Sequence, residues 1–215
     1  MEHFNSVASA IALAMGVGWA SGLNLYAAIL VLGLLGATGN MVLPQNLDVL
    51  MNPMVIGAAG LMYLVEFFAD KTPAVDTGWD AVHTFIRIPA GAVLAAGAMG
   101  DVDPAVAVAA GILGGGLAAG SHALKAGSRV LINASPEPFS NWTASVMEDV
   151  AVVGGLWIAL NHPLLFIALL AGFAALLVWL LPKVWRGIKH LFGAIGKLFG
   201  RRPVQTAAGP NELPD

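Results

Sequence analysis

Glu66 and Asp70 stand four residues apart, and Asp76, Asp80, His83 and Arg87 follow at spacings of four, three and four. If both segments are helical, each set lies along one helix face. A third series, Ser121, His122, Lys125, Ser128 and Arg129, and a fourth, Asn141, Ser145, Glu148 and Asp149, repeat the pattern downstream. Carboxylates beside imidazoles can bind a proton, a hard metal ion or an organic cation. In and beside the two segments that join these series, the carboxylates Glu66, Asp70, Asp76, Asp80, Glu137, Glu148 and Asp149 outnumber the cations Lys71, Arg87, Lys125 and Arg129. The residues expected to bind an ion or substrate are Glu66, Asp70, Asp80, His83, His122, Glu148 and Asp149, with Arg87, Lys125 and Arg129 as structural charge partners. The competing reading is a set of ion pairs that only hold the protein together, with Glu66, Glu148 and Asp149 neutralising the three cations. Asp76 and Asp80 would then be helix-start charges facing water.

The elements that must carry these residues are apolar. Hydrophobic residues make up 58% of the 215, charged residues 11%, and mean hydropathy is +0.78. That composition belongs to a membrane protein. Apolar runs cover about 7–37, 53–69, 81–99, 105–131, 142–160 and 163–181, which predicts an all-α polytopic bundle of about six transmembrane helices over residues 1–182. The first run would be about 46 Å long as a helix, longer than the roughly 30 Å hydrocarbon core and too short for two crossings. It must tilt, protrude or break, and Ala20-Ser21-Gly22-Leu23-Asn24 is where a break is expected.

All ten cations fall at or near one set of span ends, whereas the segments around 39–52, 100–104 and 161–163 hold no Lys or Arg. The positive-inside rule makes the cationic side cytoplasmic, and six crossings would bring both termini there, in a multi-pass protein of the bacterial inner membrane. After Pro182, Val184, Trp185, Ile188, Leu191 and Phe192 recur at spacings of three and four, which predicts a separate amphipathic interfacial helix over 183–202 that anchors on anionic lipid. Residues 203–215 are expected to be disordered. Two hairpins are weakly alike. Ala58-Ala59-Gly60-Leu61-Met62 and Ala109-Ala110-Gly111-Ile112-Leu113 each open a span, and Trp79 and Trp142 each follow an expected cap, Thr77 and Ser140, by two residues.

No hydrolase elbow, Walker loop, zincin helix or dinucleotide fingerprint occurs, so no cofactor is expected. The net charge of -3 gives no reason to expect nucleic acid, and the absence of cysteine removes thiolate ligands and nucleophiles. Gly114-Gly115-Gly116 inside a span suits close helix packing.

The segments Ala20-Ser21-Gly22-Leu23, Glu66 through Asp70-Lys71, Asp80-Ala81-Val82-His83-Thr84 with Arg87, Ser121-His122 through Gly127, and Ile132 to Asn141 followed by Glu148-Asp149 resemble the bacterial membrane proteins catalogued as domain-of-unknown-function family 4126. The resemblance spans about residues 8–186 and departs at Asn24, where a basic residue is expected. It implies the membrane architecture and the importance of the polar cluster, and names no activity. Glu66-Phe67-Phe68-Ala69-Asp70-Lys71-Thr72 is more loosely similar to the Glu-x-Gly-Asp-Lys-Thr signature of a family of calcium and manganese transporters. The first expectation is therefore a small transporter or channel for a cation or a proton-coupled solute. The alternative is a non-catalytic scaffold, as a homo-oligomer or a membrane-complex subunit. Third is an enzyme acting on lipid or prenyl substrates through Asp70, Asp76 and His83.

Overall fold

The computed structural model describes residues 2–72, 75–134 and 138–200. Six α-helices form, α1 (Glu2–Ala37), α2 (Pro53–Ala69), α3 (Val75–Ala98), α4 (Pro104–Ile132), α5 (Pro138–Asn161) and α6 (Pro163–Gly200), with a short 3₁₀ segment, Gln45–Met51, before α2. Five of the helices are long and apolar enough to cross a membrane, and the 3₁₀ segment with α2, bent by 67°, supplies a sixth candidate. The chain is an all-α membrane helix bundle.

Local chemistry sets the helix starts. Asn52 and Asp103 cap α2 and α4 by accepting from the backbone N–H groups of Met54 and Ala105 at 2.9 and 2.8 Å, and each is followed by a proline at the first helical position. Proline there loses no hydrogen bond, because the first-turn N–H groups are unpaired in any case. The caps expected at Thr77 and Ser140 are not caps. Both residues lie inside helices that begin earlier, at Val75 and at Pro138.

Helix α1 breaks where expected, at Asn24, whose backbone is extended (φ −148°, ψ 95°). The break turns the chain back on itself. Before it, Gly16 meets Ala159 and Phe166, Gly18 meets Gly114, and Gly22 meets Ala118, so this arm descends alongside α4. After it, Tyr26 meets His83, and Gly33 and Gly36 meet Leu50 and Met51 near the start of α2, so the second arm climbs back. Ser9 and Leu13 from the first arm, Leu35 from the second and Asn40 just beyond it line one cavity of about 580 Å³, together with Met99 and Asn161. The tip, at Asn24, lies level with Lys125, two turns before the end of α4 and about 10 Å from it.

Helices α2 to α6 then run alternately up and down, and Val184 and Ile188 of α6 pack on Gly127 near the end of α4. The start of α1 thus lies at the cation-poor end of the bundle and the end of α6 at the cation-rich end. Both arms of α1 run between the cation-poor end and the tip at Asn24. Because the chain lacks cysteine, labelling can test the path: single cysteines at Ser9 and Asn40 should react from one side of the membrane and one at Ser128 from the other. Labelling at Ser9 and Ser128 from the same side would contradict the hairpin.

Helix α6 passes through Pro182 unbroken to Gly200, so residues 183–200 continue the last helix and do not begin a new one. Lys183 lies over the Trp179 ring at 3.0 Å and Lys189 over Trp185 at 5.3 Å, which links the cationic segment to the apolar one. The tail beyond 200, including the end of the expected interfacial helix, lies outside the described residues.

Small residues hold the core together. An added Cβ at Gly18 would sit 2.6 Å from Gly114 Cα, and one at Gly91 2.7 Å from the Ala118 methyl, so α1, α3 and α4 meet backbone to backbone. Gly91, Ala95 and Ala98 are buried as a stripe, and of the glycine triplet Gly114 and Gly115 pack against Ala95 and Ala92, while Gly116 faces open space.

Candidate functional site

The polar stripes converge at the tip of the α1 hairpin. Arg87 on α3 donates to Glu66 Oε1 on α2 at 2.8 Å and to Asp80 Oδ1 on its own helix at 3.0 Å. Lys125 on α4 reaches Asp70 at 2.7 Å, Glu66 and Glu148 at 3.4 Å, and Asp80 at 4.0 Å. Arg129, one turn further on, binds Glu148 on α5 at 2.7 Å and lies 3.8 Å from Asp70. Four helices contribute, and Arg87, Arg129 and Glu66 have no exposed surface. A charge so placed requires partners.

The broken helix supplies two of them. At the end of the first arm the carbonyls of Leu23 and Gly22 lose their helical donors and accept instead from Lys125 Nζ at 3.1 Å and, at a long 3.5 Å, from Arg87 Nη1. The negative end of a half-helix thereby faces the two cations. Asn24 serves the other arm: its Oδ1 accepts from the Ala27 N–H at 2.9 Å as an N-cap, and its Nδ2 donates to Asp149 Oδ1 at 3.0 Å. Replacing Asn24 with alanine should cost about 1–2 kcal/mol through the lost cap and more through Asp149 left without its donor. Unfolding of Asn24→Ala in detergent measures this. A variant as stable as the parent would mean that the cap does not hold the bend.

Both histidines bond as neutral imidazoles. Arg87 Nη1 lies 3.1 Å from His122 Nδ1 and can only donate, so Nδ1 is the acceptor and Nε2 carries the proton, toward Thr84 Oγ1 at 2.7 Å and the Asp80 carbonyl at 3.1 Å. For His83, the Trp79 carbonyl 2.8 Å from Nδ1 takes that proton, and Nε2 accepts from the Tyr26 hydroxyl at 3.0 Å, with Trp79 stacked on the ring. Neither imidazole offsets a carboxylate. The directly bridged network therefore holds four carboxylates, Glu66, Asp70, Asp80 and Glu148, against three cations, Arg87, Lys125 and Arg129. Glu66 Oε2, Asp70 Oδ1 and Asp80 Oδ2 are buried without a hydrogen-bond partner.

The model matching this chain over residues 11–183 is that of the domain of unknown function DUF4126. The chain belongs to this family. No curated protein and no solved structure matches it. The matched segment takes in the whole charged network and ends in α6, and its description carries no activity.

Several expectations need correction. Asp149 makes no direct ion pair with the three buried cations: it bonds to Asn24 and feels Lys125, and less strongly Lys71, at longer range, while Lys71 Nζ bonds to Ser145 at 3.2 Å. Asp76 is not a water-facing helix-start charge, since it is fully buried and accepts from Asn133 Nδ2 at 2.8 and 2.9 Å. Asp80, also expected to face water in the ion-pair reading, is 1% exposed inside the network. Asp70, Asp76 and His83, grouped in the enzyme reading, each have separate partners. Among the described residues no three His, Asp or Glu converge as a metal-binding group. Glu137 lies outside the described residues. Sequence reasoning missed Tyr26, Asn133 and Thr84, and it missed Asn141 as a partner of both Arg129 and the Asp70 carbonyl. Their partners lie on other helices, His83 for Tyr26, His122 for Thr84, Asp76 for Asn133 and Arg129 for Asn141, which spacing along one helix does not reveal.

Proposed function

We propose that this protein is a small proton-coupled membrane carrier, in which the buried network at the α1 tip is the proton-binding station. The observation that carries this reading is the excess of one carboxylate over cations in a largely buried network, whose most exposed side chain is that of Glu148 at 15%, with three carboxylate oxygens lacking any donor. A net charge buried at that depth costs at least about 2.5–3.5 kcal/mol, so the network favours taking up one cation. A proton needs neither a cavity nor a set of ligands. The break in α1 supports the same reading, because carriers place half-helix ends at their binding sites, and here carbonyls from one half meet the cations of the station. The cation-rich end is then cytoplasmic by charge bias, and the cavity between the arms of α1 faces the opposite compartment.

A second reading rests on its own observation. Each of the three buried cations has a carboxylate within 2.8 Å, an arrangement that serves a rigid scaffold equally well. The two separate in proteoliposomes holding a pH-sensitive dye. A carrier dissipates an imposed pH gradient, alone or with a co-transported weak acid or monovalent cation. Protein-free leak rates with every ion and weak acid tried would leave the scaffold.

A further inference from the structure

Lys183, Arg186 and Lys189 are exposed on α6, and none has a carboxylate partner among the described residues. The chain holds no acid between Asp149 and Glu212, while Lys197, Arg201 and Arg202 add further cations to the same stretch. Depth gives this charge a meaning. From Pro163, at the cation-poor end, to Pro182 the helix rises about 28 Å, close to the roughly 30 Å of a hydrocarbon core. The three cations therefore emerge where lipid head groups begin. Trp179 and Trp185, 60% and 59% exposed, mark the same level. Each ring carries a lysine, Lys183 at 3.0 Å and Lys189 at 5.3 Å, so two of the three ammonium groups are already placed. Arg186 Nε donates to the Pro182 carbonyl at 3.3 Å, and its terminal amino groups make no further bond among the described residues.

Trp179, Lys183 and Arg186 follow at spacings of four and three and share one helix face. Nearer the cation-poor end that face continues through Ala168, Gly172 and Ala175, all exposed, and an added Cβ at Gly172 would meet nothing within 4 Å. We propose that this face of α6 binds an anionic phospholipid, its phosphate held by Lys183, Arg186 and Lys189 and an acyl chain lying over the small residues beyond Trp179. Charge and depth together name the occupant. A zwitterionic lipid carries its own ammonium beside the phosphate and gains less from three cations. A second copy of the chain, related by an axis along the membrane normal, would bring the same cations face to face with no acid between them. The site is separate from the buried network, and a protein that transports nothing can still hold the lipid.

The test offers the full chain in maltoside micelles equal amounts of dioleoyl phosphatidylglycerol and dioleoyl phosphatidylcholine, and counts the lipids retained by native mass spectrometry. The parent should retain the anionic lipid with a preference of at least about tenfold, since one well-placed cation contributes about fivefold. The triple variant Lys183→Gln, Arg186→Gln, Lys189→Gln should lose that preference, and Arg186→Gln alone should lower it by about fivefold. All three positions are exposed, so the fold does not depend on them. Lys71→Gln removes a cation that bonds to Ser145 on α5, away from α6, and should leave the preference intact. Excess glycerol phosphate, which has the charge without the tail, should not displace the lipid. Equal retention of the two lipids, a preference that survives the triple variant, an equal loss in Lys71→Gln, or displacement by glycerol phosphate would overturn the assignment.

Discussion

Replacing Lys125 with methionine is expected to cost about 3–5 kcal/mol of stability, the usual consequence of stripping one partner from a buried ion pair. The side chain is 2% exposed and touches carboxylates from α2, α3 and α5 while also donating to the Leu23 carbonyl at the end of the first α1 arm. Methionine fills much the same volume, so the loss is electrostatic and not one of packing. Without Lys125, four carboxylates face two arginines, and the Leu23 carbonyl loses its donor. A lower midpoint in denaturant titration or thermal unfolding in detergent measures the effect. A midpoint equal to that of the parent would mean that Lys125 does not organise the cluster.

Replacing Glu66 with glutamine should act in the opposite sense on charge. It brings the network to three carboxylates and three cations, and the amide oxygen can keep the 2.8 Å bond from Arg87. The cost is an amide group placed where Glu66 Oε2 now has no partner, about 1–3 kcal/mol if it finds no acceptor. Glu66→Gln should therefore be less destabilising than Lys125→Met. It should nevertheless abolish proton flux in proteoliposomes, because the surplus charge that draws a proton into the station is gone. The scaffold reading expects no flux in either protein, and flux retained at the parental rate in a folded Glu66→Gln protein would remove Glu66 from the station.

The positions of these residues were legible because the cost of burying charge leaves few arrangements. Acids and bases at helical spacing near span ends must face inward and must meet, and Arg87 and Arg129 do pair with acids from neighbouring helices, Glu66 and Glu148. The break in α1 was legible for a similar reason, since Gly22 and Asn24 interrupt a run too long for one crossing. That the chain reverses there was not. The angle at a single extended residue depends on what satisfies the freed backbone, and the donors responsible, Lys125 and Arg87, lie far along the chain. Asn24 illustrates the limit. Where a basic residue was expected to contribute charge, asparagine caps a half-helix and holds Asp149, a role visible only once α1 and α5 are side by side. Asp76 was misjudged because its partner, Asn133, belongs to the opposite hairpin. Pro182 suggested a helix end, yet α6 continues through it, packed on Gly127 and Leu131 of α4. Tertiary packing there outweighs the lost backbone hydrogen bond.

The claim on which the carrier reading depends is that the network holds one exchangeable proton, and infrared spectroscopy of the folded chain reports it directly. At neutral pH the parent protein should show the carbonyl stretch of a protonated, buried carboxylic acid, shifting in heavy water, and Glu66→Gln should lack it. A parent spectrum with ionised carboxylates alone, or an acid band that persists unchanged in Glu66→Gln, would contradict the account.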